Sequence, residues 1–146
     1  MATSRWMTWL NVSFPNLRSE GFTVVDPPSD TYNCIAYAAD DTSQWWAHIS
    51  DIYWPPHATR SDRIASLLEV FAGLGYEQCD DSRIEDGYQK VALYETRGVW
   101  THAAVQIPSG VWRSKMGEGP VIEHRNAESL AGGPYGGVHC FMRRPL

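Results

Sequence analysis

The heptapeptide Tyr32-Asn33-Cys34-Ile35-Ala36-Tyr37-Ala38 constrains this chain most, because it asks for a helix that opens on a cysteine. Thr31 or Asn33 would be the N-cap, and the small apolar run Ile35–Ala38 reads as a first helical turn, giving a helix from Asn33 to about Ala39. Unpaired backbone N–H groups and the positive end of the helix dipole favour an anion there. A thiolate is such an anion, so the position makes Cys34 a candidate nucleophile. The same N–H groups could receive the oxyanion of an attacked carbonyl, with Asn33 or Tyr32 as side-chain donors. Against this stands the plain reading of a free cysteine as a small buried hydrophobe. The rest of the chain must therefore supply a base.

With 146 residues there is room for one domain and its core, spanning 1–146. A net charge of −5 without a basic run argues against a nucleic-acid partner. The start of the chain lacks the basic and apolar regions of a signal peptide, and no apolar run is long enough to cross a membrane. The expectation is a cytoplasmic protein, with export by a signal-independent route left open. Three cysteines, Cys34, Cys79 and Cys140, fit neither a zinc spacing nor an even disulfide set. Asp80, Asp81, Glu85 and Asp86 lack calcium-loop spacing, so no metal and no cofactor is implied.

Seven Trp and seven Tyr are too many large rings for one small core to bury completely. Trp45, Trp46 and Trp54, beside Pro55 and Pro56, are thus candidates to line a substrate groove. Residues 1–29, broken by Pro15, Gly21, Pro27 and Pro28, read as an N-terminal arm with one extended segment, Phe22–Val25. Residues 30–75 carry the cysteine helix and a core helix over Ser61–Leu74, where Ile64, Leu67, Leu68, Phe71 and Leu74 share a face. Residues 76–146 read as strands: Tyr76–Cys79, Gln89–Glu95, Trp100–Ile107, Gly110–Lys115 and Val138–Met142, with a short helix from Asn126. The fold class is α+β, N-terminal helices packed on a C-terminal antiparallel sheet.

Among five histidines, His102 stands apart, because THAAVQI places it at the start of a strand. A strand-borne imidazole facing a helix-borne thiol is what a Cys–His pair requires. A third polar group would orient the ring; the return strand offers Ser114 and Lys115, and Gln106 shares the His102 face.

These residues resemble the papain-like fold in its compact NlpC-type bacterial form, in which a cysteine opens a helix, a histidine starts a strand, and the orienting residue sits on the next strand. Carried over, the resemblance implies Cys34 as nucleophile, His102 as base and position 114 as orienter. Ser114 departs from the His, Asn or Gln expected there, which leaves Ser114, Gln106 or a backbone carbonyl to serve. The chain also looks similar over nearly its full length to uncharacterised bacterial domains built on YNCIAYA, WW…YWP, GYE, KVALY, THAA and SKMG. The expectation is a thiol hydrolase, peptidase or amidase, acting on a peptide or protein amide, with a bacterial toxin domain as one setting. Glutamine deamidation or acyl transfer would use the same pair. The alternative is a non-catalytic papain-like binding module with an aromatic surface.

Overall fold

A computed structural model describes residues 4–146. The chain is α+β, built on a seven-stranded sheet in the order β1-β6-β5-β4-β3-β7-β2. Every neighbouring pair in it is antiparallel. Its strands are β1 (Thr23–Asp26), β2 (Glu77–Cys79), β3 (Tyr88–Thr96), β4 (Val99–Gln106), β5 (Trp112–Lys115), β6 (Val121–His124) and β7 (Gly137–Pro145). The helices are α1 (Ser4–Ser13), α2 (Pro15–Glu20), α3 (Cys34–Ala38) and α4 (Ile64–Gly73), with a 3₁₀ turn at Ala127–Leu130.

Side chains alternate along each strand, and helices cover both faces. On one face α3 and α4 bury Ile35, Ala36, Leu67, Val70 and Phe71 against Val91, Leu93, Ala103, Val105 and Met142. On the other, Leu10 and Phe14 with Leu17 of α2 pack on Ala92, Tyr94, Ala104, Trp112 and Ile122. Ala103 and Ala104, adjacent in β4, point to opposite faces. Their small side chains let elements approach this strand closely from both sides.

Three expectations change. The extended segment expected at Phe22–Val25 is β1, but the residues before it are no loose arm, because α1 and α2 are helices that supply a core layer. Pro15 does not break structure; it occupies the first turn of α2, where a missing N–H costs nothing. Val121–His124, where the sequence implies no strand, form β6, which joins β1 from the N-terminal half to the sheet. The core helix begins at Ile64 rather than at Ser61, whose Oγ instead accepts the Arg63 N–H at 3.0 Å.

The aromatic loop between α3 and α4 is fixed from within. Arg60 Nη1 donates to the carbonyl oxygens of Ile49 at 2.7 Å and Ile52 at 2.9 Å. Trp54 stacks on Trp100 with centroids 5.6 Å apart, and its indole N–H donates to Thr59 O at 2.8 Å.

Candidate functional site

Cys34 is the first residue of α3, as its sequence context requires. Asn33 is the N-cap, its Oδ1 accepting from Ala36 N at 3.2 Å. The same oxygen accepts from Trp46 N at 3.1 Å, and Nδ2 donates to Trp46 O at 2.7 Å. Asn33 therefore straps the aromatic loop onto the helix start. Its Oδ1 and one Nδ2 hydrogen are thus committed to holding the loop.

The cysteine packs on β4 beside Ala103 and is 6% exposed. Burial pushes its thiol up to about 11. The backbone amides of Ala103, Ile35 and Cys34 itself, and the charge of Lys115, act in the opposite sense. The amides fall here because β4 pairs with β5 only through Val105 and Gln106. The segment Val99–Ala104 has no β5 partner, so its outward backbone groups are open to another element.

Lys115 ends β5 with no exposed surface. Its Nζ donates to Ser29 O at 2.6 Å and to Gly117 O, and lies 4.9 Å from the centre of the Tyr32 ring. Burial lowers its pKa to about 8, while Cys34, Glu118 and Asp30 hold it up. Tyr32 contributes its ring to this cation and stacks with Tyr37 at 6.2 Å.

His102 does not pair with Cys34. Its partner across the ladder is Tyr94, a residue of the opposite core, and the imidazole packs edge-on to Tyr94 at 5.1 Å. Tyr135 stacks flat on it, with centroids 4.2 Å apart and 8° between planes. The ring is 0% exposed, neither nitrogen has a hydrogen-bond partner, and burial pushes its pKa well down. The physical reason is parity: α3 packs on the Ala103 side of β4, so the preceding residue points away.

Ser114 is likewise on the far face, its Oγ 2.8 Å from His124 Nε2, while His124 Nδ1 meets Asn126 O at 2.8 Å. Burial takes His124 down to about 4. Gln106 does not orient His102 either; its Nε2 donates to Ser82 O at 2.7 Å and Gly110 O at 3.2 Å. Trp46 and Trp54 are buried, at 6% and 4% exposure, and are scaffold rather than groove lining; Trp45 is half-buried. The structure thus joins Cys34, Lys115 and Tyr32, and separates His102, Ser114 and Gln106 from them. Lys115 was legible only as one of two neighbours on the return strand. Tyr135 gave no signal beyond its place among four glycines.

A family model described as Domain of unknown function (DUF7689) matches residues 23–143, and the chain belongs to that family. Neither the curated proteins nor the solved structures contain a match to this chain.

Proposed function

We propose that this member of the family is a cysteine-dependent hydrolase or acyltransferase for an amide, with Cys34 as nucleophile and Lys115, in place of His102, as its proton partner. One observation carries the reading: backbone amides and a buried ammonium act together on one sulfur, at a stretch of β4 that lacks its neighbour strand. Groups whose pKa values burial shifts strongly cluster at functional sites, and Cys34 and Lys115 are two such groups that sense one another's charge. Near pH 8 an appreciable share of Lys115 is the neutral amine, which can take the thiol proton. The thiolate adds to the amide carbon, and the carbonyl electron pair moves to oxygen beside the Cys34 and Ala103 amides. The amine then leaves with a proton from the Lys115 ammonium, and water releases the acyl group from the thioester. A helix opened by cysteine and packed across an antiparallel sheet supports the papain-like assignment, with a different partner for the sulfur. Residence in the cytoplasm belongs to the same reading; among the described residues no helix is long and apolar enough to cross a membrane.

The competing reading, a binding module, draws on the low exposure of Cys34 and a thiol that burial keeps protonated at rest. Iodoacetamide alkylation at each cysteine, followed against pH by peptide mass spectrometry, decides between them. The enzyme reading expects Cys34 labelling in wild type to follow the Lys115 ionisation near pH 8 and to move upward in Lys115→Met. Cys34 labelling only near pH 11, unchanged by the substitution, would leave the binding module.

A further inference from the structure

Lys115 carries its amine at a position with no exposed surface, so its head needs partners from the protein. Three surround it. Ser29 O accepts at 2.6 Å, Gly117 O accepts a second N–H, and the centre of the Tyr32 ring lies 4.9 Å from Nζ. The two carbonyls come from loops that are tied together, since Ser29 N donates to Glu118 O at 3.1 Å. The ring belongs to the residue just ahead of the Asn33 cap, and it stacks on Tyr37 of α3, 24° from parallel. Tyr32 therefore links the head of Lys115 to the helix that opens on Cys34.

An ammonium has three N–H donors, and two carbonyl oxygens with one π face make three electron-rich partners. A neutral amine has two donors and a lone pair, which must then be turned on one of those partners. The surroundings favour the ammonium, against the burial that disfavours it. Of the three partners, only the ring is a side chain. Other charges face the same head: Cys34 from α3, and Asp30 and Glu118 beside the two carbonyls. Asp26 shares a cross-strand row with Val121 and Lys115. Arg113, two residues earlier on β5, is bonded to Glu123 at 3.0 Å.

We propose that Tyr32 is a positioning residue for the Cys34 reaction: its ring, with the Ser29 and Gly117 carbonyls, forms a socket for the Lys115 ammonium produced when the lysine takes the thiol proton. This rests on the reading of Cys34 as nucleophile and Lys115 as its proton partner. In that step the proton passes from Sγ to Nζ and the S–H electron pair stays on sulfur. The ring attracts the ammonium and not the amine, so it favours the thiolate–ammonium form of the pair over the thiol–amine form. The role belongs to the π electrons rather than to the hydroxyl.

Lys90 and Lys115 are the only lysines of the chain, so isotope labelling at lysine Cε gives two NMR signals to follow against pH in the full-length protein. Lys115→Met identifies the Lys115 signal. Position 32 is varied from tyrosine to phenylalanine and then to mono-, di- and trifluorinated phenylalanine, which withdraws electron density from the ring face with little change of shape. The Lys115 midpoint should match wild type in Tyr32→Phe and then fall step by step, by roughly one pH unit in all. The midpoint of Cys34 alkylation by iodoacetamide should fall with it, and the plateau rate should drop by about tenfold, as thiolate–ammonium gives way to thiol–amine. A Lys115 midpoint unmoved along the series overturns the socket, while the effect of Lys115→Met on Cys34 still decides the proton partner. A Lys115 midpoint that falls with Cys34 alkylation unchanged removes Lys115 as that partner, and the role of Tyr32 with it. An effect already complete in Tyr32→Phe assigns it to the hydroxyl and also overturns the proposal.

Discussion

The two faces of the sheet hold polar groups in different ways. On the α3 face, burial shifts both Cys34 and Lys115 and the charge of each acts against the other's shift, while the lysine finds carbonyl partners in the loops at residues 29 and 117. On the α1 face, His102, His124 and Ser114 sit within an otherwise apolar core, and the only imidazole bonded there is His124. A charge is held by backbone acceptors on the first face. The imidazoles on the second are kept neutral by burial, which for His124 outweighs the Asn126 carbonyl and the charge of Glu20. The difference shows why the same kind of pKa shift has opposite value as evidence. A lysine brought down to about 8 is poised for proton transfer, whereas a histidine pushed well below its usual range is removed from it.

The sharpest way to break the α3 face is at its strap. Asn33→Ala deletes the N-cap bond to Ala36 and both bonds to the Trp46 backbone, leaving buried loop groups unpaired. The expected loss is about 3 kcal/mol, read as a lower urea midpoint with an unchanged slope. A loss within about 0.5 kcal/mol, the range of ordinary surface changes, would mean that the loop is held by Arg60 and the stacked tryptophans alone.

Acid should act on the other face. The folded pKa of His124 lies near 4, below its value in the unfolded chain, and His102 is shifted in the same direction. The unfolded chain therefore binds more protons, and stability falls as pH drops below about 6.5. Between pH 7 and pH 5 His124 alone should remove about 2 kcal/mol, continuing until the pH reaches its folded value. Urea midpoints at the two pH values measure this, and His124→Gln should flatten the dependence. A flat wild-type profile would contradict the burial of both rings.

How far the sequence disclosed this division can be argued from particular residues. Asn33 as cap, the apolar stripe Leu67–Phe71 and the hairpins around Arg97-Gly98 and Ser109-Gly110 were all legible, because each is fixed by local chemistry. Trp6, Trp9, Leu10 and Phe14 carry helical spacing too, but Pro15 hid it by resembling a break where it starts a second helix. The pairing of Cys34 with His102 depended on something no local pattern states, namely which face of β4 α3 covers. A period of two makes that choice absolute: one residue of offset brings Ala103 and Lys115 to the sulfur and sends His102 and Ser114 away. The twin alanines of THAA mark close packing on both sides without saying which side receives the cysteine.

Ser114 tests the separation more gently. Ser114→Ala removes the hydroxyl that His124 Nε2 bonds at 2.8 Å and strands a buried nitrogen. It should cost about 1–2 kcal/mol while leaving Cys34 alkylation at its wild-type rate and pH dependence. A slower Cys34 with unchanged stability would bring Ser114 back into the site and dissolve the distinction between the faces.

The smallest expected effect has the opposite sign. His102→Phe replaces a ring whose two nitrogens are buried and unbonded with one of similar shape and no polar atoms. The stack on Tyr135 and the edge contact with Tyr94 are preserved. The protein should gain about 1 kcal/mol, seen as a higher urea midpoint, and lose the His102 share of its acid sensitivity. That gain would mean that both imidazole nitrogens are unpaired in the folded protein and that the chain retains histidine at a cost to stability. A loss of stability would mean instead that the nitrogens are satisfied in solution, and that the α1 face holds polar groups much as the α3 face does.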